Sequence, residues 1–306
     1  MKKLIALIFV ASVVISSCDV VDYPYDKGGA GPGDEQYNDT VYNDTTVNKR
    51  RILLEEFTGH KCPNCPEGAD IAEQIKTDHP EDFLSVSIHN SGAFSKPDVS
   101  NPDHPYPENF ETKTGEKLRI KYQFSAFPGG MINRTEFNGT GIGAVKVDYT
   151  KWAQTVTDLL ANPAYMAPRF KLKLVNIYNS KPDDRSVRVR YNATCLQNIT
   201  GNIAIVGYLI ESKIIAPQTD NRLTNSYVHD YEHNHVLRIG FPGDGDGKTL
   251  FTNPVPGDVA EVITENEEIS VAISEDWKPE NMHLIVFLYN SVTGEIIHVE
   301  ETPLTN

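Results

Sequence analysis

Apolar and polar positions repeat with two different periods along this chain, and the change of period divides it. "RILLEEF" at residues 51–57 is an apolar, β-compatible run, and "GADIAEQI" at 68–75 places Ala69, Ala72 and Ile75 at spacings of three, on one helical face. "FLSVSIH" at 83–89 alternates Leu84, Val86 and Ile88 with Phe83, Ser85 and Ser87 and predicts a second strand. Proline and glycine interrupt every regular pattern in "NSGAFSKPDVSNPDHPYP". A helix follows across 108–122, with Phe110, Leu118 and Tyr122 apolar. Gly115 inside it costs about 1 kcal/mol relative to alanine. "GMINRTEFNG" reads as a strand and turn, and "DYTKWAQTVTDLLAN" sets Trp152, Val156, Leu159 and Leu160 on one face of a helix. The order β, α, β, insert, α, β, α predicts a small α/β domain over residues 50–163, with an insertion near 90–108.

After Pro168 the period becomes two. In "SVRVRYNATCL", Val187, Val189, Tyr191, Ala193 and Cys195 fall on one face and Arg188, Arg190, Asn192 and Thr194 on the other. "RFKLKLVNIY", "IAIVGYLIE", "HVLRIGF", "EEISVAIS", "HLIVFLYN" and "EIIHVEE" continue the series. About seven strands with little helical pattern between them predict an antiparallel β-sandwich of immunoglobulin-like size over residues 164–306. The connections Lys213–Glu232 and Pro242–Pro256 are long enough to carry binding loops.

The N-terminus changes the setting. Residues 1–17 carry Lys2 and Lys3, an apolar run from Leu4 to Ile15, then Ser16 and Ser17. That run is shorter than the about 20 residues a membrane span needs, and the segment reads as a signal peptide. Ile15-Ser16-Ser17-Cys18 resembles a bacterial lipobox, which implies lipidation of Cys18 and attachment to a membrane through that lipid. Residues 18–49 are rich in acids, Gly, Asn and Thr and predict a flexible tether. Asp39-Thr40-Val41 and Asp44-Thr45-Thr46 within it resemble Bacteroidetes-type O-glycosylation acceptors, and read equally well as plain polar linker. Loss of the leader takes the formal charge from −14 to −16, which excludes nucleic acid as a natural partner.

An exported chain favours oxidation of any cysteines that can meet, and Cys62, Cys65 and Cys195 remain after Cys18 is assigned to the anchor. Cys195 continues an apolar strand face and needs no function. Cys62 and Cys65 stand in "EEFTGHKCPNCPEGADIAEQI", directly after a strand and at a helix start, where the helix dipole and free N–H groups favour a thiolate. His60 and Lys61 add positive charge beside them. A zinc site needs a second pair of ligands, and the chain has no second Cys-x-x-Cys. A working thiol pair and an oxidised structural staple both remain open.

Residues 51–134, from the first strand through CPNC to "YQFSAFPGGMINR", resemble a thioredoxin-like domain. The resemblance implies that Pro128 is in cis and faces the cysteines, and that Glu56 is the buried acid that handles the proton of the second one. Cys62 is then the attacking thiolate and Cys65 the resolving thiol. Glu55 points to the opposite strand face and is expected in solvent. No tryptophan precedes Cys62, and Pro66 and Gly68 disturb the first helical turn. "YLIESKIIAPQ" and "YVHDYEHNHVLRIGF", with the lipobox and "FTGHKCPNCPEG", resemble the twenty-eight-kilodalton outer-membrane-protein family of Bacteroidetes-type bacteria. That implies an outer-membrane lipoprotein with a thioredoxin-like part and a β-rich C-terminal part.

Two further constellations are present. His229, His233 and His235 cluster, and the last two share one face if the segment is extended, as metal ligands do; a polar loop entering a strand explains them better, because no fixed zinc motif is matched. "GDGDGKTLF" presents Asp244 and Asp246 two apart but lacks the later ligands of a calcium loop, and reads as a glycine-rich turn. No metal site and no cofactor is expected. The sequence therefore supports an outer-membrane lipoprotein that exchanges thiols and disulfides through Cys62 and Cys65. Its rival is a cell-surface binding or adhesion protein whose disulfide is structural and whose sandwich loops hold a protein or glycan.

Overall fold

The computed structural model describes residues 37–42, 49–137, 143–181, 184–262 and 268–305. The signal segment 1–17, Cys18 and the second acceptor-like triplet at Asp44 lie outside them. Residues 35–306 form one compact unit.

The N-terminal half is built from β2 (Ile52–Phe57), α1 (Cys65–Asp78), β3 (Phe83–Ile88), α2 (Lys113–Lys121), β4 (Gly129–Ile132), β5 (Lys146–Asp148), α3 (Trp152–Leu160) and the short α4 (Pro163–Met166), after an edge strand β1 (Tyr37–Tyr42). β2 and β3 are parallel, joined through α1, while β4 and β5 add antiparallel to β2. Alternate residues of β2 serve two cores. Ile52 and Leu54 pack with Ala72, Ile75, Trp152, Val156 and Leu159 under α1 and α3, whereas Leu53 and Phe57 face Val86, Met131 and Leu118. The predicted helix over 108–122 is shortened to α2, because Thr112 caps it with its hydroxyl accepting from the Gly115 amide. Gly115 is required there, since a Cβ would lie 2.0 Å from Asn90 Oδ1.

The C-terminal half contributes β6 (Phe170–Asn179), β7 (Ser186–Cys195), β8 (Asn202–Glu211), β9 (Ile214–Thr219), β10 (Tyr227–His233), β11 (Val236–Phe241), β12 (Lys248–Thr252), β13 (Val259–Glu261), β14 (Ile269–Ala272), β15 (Met282–Asn290) and β16 (Ile296–Pro303). β1, β6, β7, β13 and β14 form one antiparallel sheet. The period-two reading of β7 holds, with Val187, Val189, Tyr191, Ala193 and Cys195 all buried. They pack against Ile203, Ile205, Leu209, Leu284 and Val286 of the facing sheet.

That facing sheet does not stop at residue 163. Its order is β16-β15-β8-β11-β3-β2-β4-β5, with β12 on β8, so strands from both halves hydrogen-bond in one nine-stranded sheet. β8 is central, paired to β15 on one side and to β11 and β12 on the other. Both its faces are buried, which explains its continuous apolar run. Its even-numbered residues, with Phe287 and Val299, join Leu53, Phe57 and Val86 in one core. The two predicted segments thus share a sheet and a core.

Two expectations are corrected, the first by this sharing and the second by the other sheet. Glu55 is not in solvent: it is fully buried and paired bidentately with Arg134 at 2.6 and 2.7 Å, with the Tyr208 hydroxyl donating to it at 3.1 Å. The strand face it occupies is covered by the C-terminal strands, and a buried carboxylate must then find partners. Nor is residues 37–42 a tether, since β1 pairs β6 from Tyr37↔Asn179 to Tyr42↔Leu174. An edge strand is held by backbone hydrogen bonds, which need no aliphatic side chains.

Candidate functional site

Cys65 opens α1 and Cys62 precedes it in a tight turn, where the Cys62 amide donates to Gly59 O at 2.9 Å and the Cys65 amide to Cys62 O at 3.3 Å. The two form a disulfide with Cα atoms 5.4 Å apart, and they are 1 % and 2 % exposed. The Phe127–Pro128 bond is cis. Gly68 brings the elements together. A Cβ there would stand 2.9 Å from Pro128 Cβ and 3.2 Å from Glu56 Oε1, so the glycine that weakens the helix start lets Pro128 and Glu56 approach α1. Glu56 lies beneath this contact and lines a cavity of about 30 Å³ with Cys65, Ser87, His89, Tyr231 and His233.

Burial pushes the Glu56 carboxyl up to about 8, against the opposing effect of a hydrogen bond with Ser87. Glu56 is therefore protonated at neutral pH. Among the described residues its Oε1 has no hydrogen-bond partner, and neither do His89 Nδ1 and His233 Nε2 around the same cavity, or His60 Nδ1 nearby.

Three histidines surround the site, two of which the sequence reading did not connect with it. His60, His89 and His233 are 1 %, 3 % and 3 % exposed and share Phe110, whose ring centroid lies 5.8, 5.0 and 5.2 Å from theirs. His60 donates from Nε2 to Lys96 O at 3.3 Å and stacks on Tyr106. Burial lowers His60 and His233 to about 4 and holds His89 well below the ordinary imidazole range, so all are neutral at pH 7. The available signal was position: His60 and His89 follow the carboxyl ends of the parallel strands β2 and β3, the edge where open α/β sheets place their sites.

The grouping of His233 with His235 dissolves. The chain turns at His235, whose φ is 54°, and its Nε2 lies 3.8 Å from Glu73 while His233 faces inward; His229 is exposed beside Asp230. Among the described residues no group of three or more His, Cys, Asp and Glu side chains is placed to hold a metal ion. Asp244 and Asp246 are engaged by Lys117, at 3.8 and 2.8 Å. Cys195 is a buried free thiol whose pKa burial raises.

The loop Lys213–Glu232, expected as a linking segment, is mostly the β9–β10 hairpin, and it covers the cysteines. The Thr219 amide donates to His60 O at 2.8 Å, Gln218 Nε2 to Cys62 O at 3.1 Å and the Asn221 amide to Pro63 O at 3.1 Å. The inserted segment adds the Lys61 amide donating to Phe94 O at 2.9 Å and Tyr106 hydrogen-bonded to Thr219 at 2.7 Å.

Fold and site together define a mixed α/β protein, largely antiparallel, with a buried Cys-x-x-Cys disulfide at a helix start. The family model described as outer membrane protein Omp28 matches residues 116–305, more than half of the chain, and the chain belongs to that family of outer-membrane proteins. The matched span begins after the cysteine pair. Among solved structures, the chain is similar to HBP35 of Porphyromonas gingivalis, at 17 % identity and a TM-score of 0.53, covering 84 % of this chain and 76 % of that one. A protein of Agrobacterium tumefaciens is similar at 12 % identity and a TM-score of 0.47, covering 86 % and 97 %. A domain of the outer membrane lipoprotein Omp28 from Porphyromonas gingivalis matches at 13 % identity and a TM-score of 0.25, covering 45 % and 88 %. No curated protein matches the chain. Among the described residues no helix is long and apolar enough to cross a membrane.

Proposed function

We propose that this outer-membrane protein is held by a lipid on Cys18 and exchanges thiols and disulfides through Cys62 and Cys65. In this reading residues 50–163 are a thioredoxin-like part, and residues 164–306 an immunoglobulin-like sandwich fused to it through the shared sheet. The observation that carries it is the meeting of the disulfide, cis-Pro128 and protonated Glu56 around Gly68. A thiolate of a partner dithiol attacks Cys62 Sγ, the Cys62–Cys65 bond breaks, and Cys65 leaves as a thiolate that takes the proton of Glu56. The partner's second thiol then attacks the mixed disulfide and frees Cys62. The partner dithiol ends as a disulfide and the pair as two thiols; the reverse sequence reduces a partner disulfide. Pro128 shapes the surface against which the partner strand lies.

The test equilibrates the mature protein with glutathione buffers and with a protein dithiol, with Cys62→Ser as control. A measurable reduction potential and disulfide transfer that the control lacks are expected. A pair that stays oxidised across the whole buffer range and transfers nothing refutes exchange, and leaves the near-complete burial of both cysteines as the mark of a staple in a cell-surface binding protein. Retention of the Cys18→Ser protein in the outer membrane after export would refute the lipid anchor.

A further inference from the structure

We propose that the β9–β10 hairpin is a hinged strap that keeps the disulfide closed to partners until it swings away. This regulation rests on the exchange reading above. The strap lies where an incoming polypeptide must lie to reach Cys62, held by the Thr219 amide on His60 O and Gln218 on Cys62 O. Its tip is latched by Asn221 Nδ2 to Asn64 Oδ1 at 2.6 Å and by Arg222 Nη1 to Asp70 Oδ2 at 2.6 Å.

Its construction allows it to move as a unit. β9 and β10 pair with each other and with neither large sheet. The strands on either side, β8 and β11, are locked in the nine-stranded sheet. At the two ends of the strap stand non-glycine residues in left-handed conformation, Lys213 at φ 58° and His235 at φ 54°. The neck is tied by side chains, with the Lys213 amide donating to Asn234 Oδ1 at 2.9 Å and the His235 amide to Ser212 Oγ at 3.0 Å. Opening there leaves the sheet pairs of β8 and β11 intact.

The strap leaves polar atoms of what it covers unsatisfied. Its aliphatic anchor is small, Ala216 against Phe110 and Val236 with Ile214 partly buried beside them, and the His233 ring packs on Phe110 and His89, while Ile215 and Leu223 remain exposed. Beneath it Glu56 Oε1 and His89 Nδ1, and on its own inner face His233 Nε2, find no partner among the described residues, and opening returns them to water. A well-packed, satisfied interface would have no such incentive to open.

The test measures access. Asn221→Ala/Arg222→Ala unlatches the tip, and the expected result is at least tenfold faster reduction of the disulfide by dithiothreitol at an unchanged denaturation midpoint. Reduction no faster than twofold above wild type overturns the strap. A second measurement needs no variant: in the wild-type protein the Thr219 amide is expected to exchange with solvent at least a hundredfold faster than the Thr58 amide, which bonds Ile88 O in the body. Equal protection of the two overturns the strap. Faster reduction of the variant with no disulfide transfer to a protein dithiol supports the strap and refutes exchange, so the two readings fail separately.

Discussion

Glu56→Gln tests the site most directly, because its effect on stability has a predicted sign, size and pH range. In the unfolded chain the carboxyl titrates near 4.5, and in the folded protein burial raises it to about 8. Between those values the folded state keeps a proton that the unfolded state has released, so unfolding releases a proton and stability falls as pH rises. The integrated loss is about 3 kcal/mol at pH 7 and about 1 kcal/mol at pH 5. Glutamine has the shape of the protonated acid and does not titrate, so the variant should gain about 4 kcal/mol over wild type at pH 7.5 and only about 1 kcal/mol at pH 5. His60 and His233 act in the opposite direction: their lowered pKa values give stability that is present above 6.5 and lost as pH falls toward 4. Both proteins contain them, so they cancel in the difference. Guanidinium unfolding of the oxidised proteins from pH 5 to 8.5 measures it. A difference that does not grow with pH, or a wild type more stable than Glu56→Gln at pH 8, refutes the reading of Glu56 as a buried protonated acid.

Gly68→Ala should destabilise by about 1–3 kcal/mol in the same assay, although alanine favours helix, because its Cβ meets the rigid ring of Pro128 at 2.9 Å. Glu55→Gln leaves the buried Arg134 without its charge partner and should cost about 3–5 kcal/mol, seen as a lowered unfolding midpoint; a loss under 1 kcal/mol would show that pair to be dispensable. Cys195 should resist alkylation by iodoacetamide in the folded protein and react only on unfolding, as mass spectrometry of the native protein will show.

The periodicities revealed most elements because each had one dry face. β7 reads cleanly for that reason, and β8 reads as a long apolar run because both its faces are dry. CPNC was legible locally, since its chemistry depends on a strand, a turn and a helix close in sequence, whereas Glu56 and Pro128 were reached through the resemblance to a thioredoxin-like domain. Contacts between distant segments were not legible. The pairing of β11 with β3 joins residues 236 and 87, and no local pattern marks it. The misreading of Glu55 followed, because a charged residue on a strand implies solvent unless a second layer covers it. β9 and β10 were missed for the opposite reason: they are half exposed and short of apolar alternation, and what orders them is the CPNC loop beneath. His89 and His233 were not connected with the cysteines, although both wall the cavity that Glu56 enters.

The strap and the proton of Glu56 are linked through a single strand position. The Ser87 amide donates to His235 O at 2.8 Å, at the hinge of the strap, and the Ser87 side chain bonds Glu56. Tyr231 and His233 of the strap also wall the cavity that Glu56 enters. Burial is the dominant cause of the raised pKa, so lifting the strap hydrates the carboxyl and lets its pKa fall toward 4.5. Reciprocity then requires that losing the proton favours the open strap. Between about pH 4.5 and 8 the population of the open state should therefore rise by up to about tenfold per pH unit, and it should level off above 8, where the closed state has lost the proton too. Exchange of the Thr219 amide, corrected for its base-catalysed chemical rate, reads this population directly. The rise should be present in wild type and absent in Glu56→Gln, where nothing titrates beneath the strap. An equal rise in both proteins would place the pH-dependent opening elsewhere and sever the hinge from the acid.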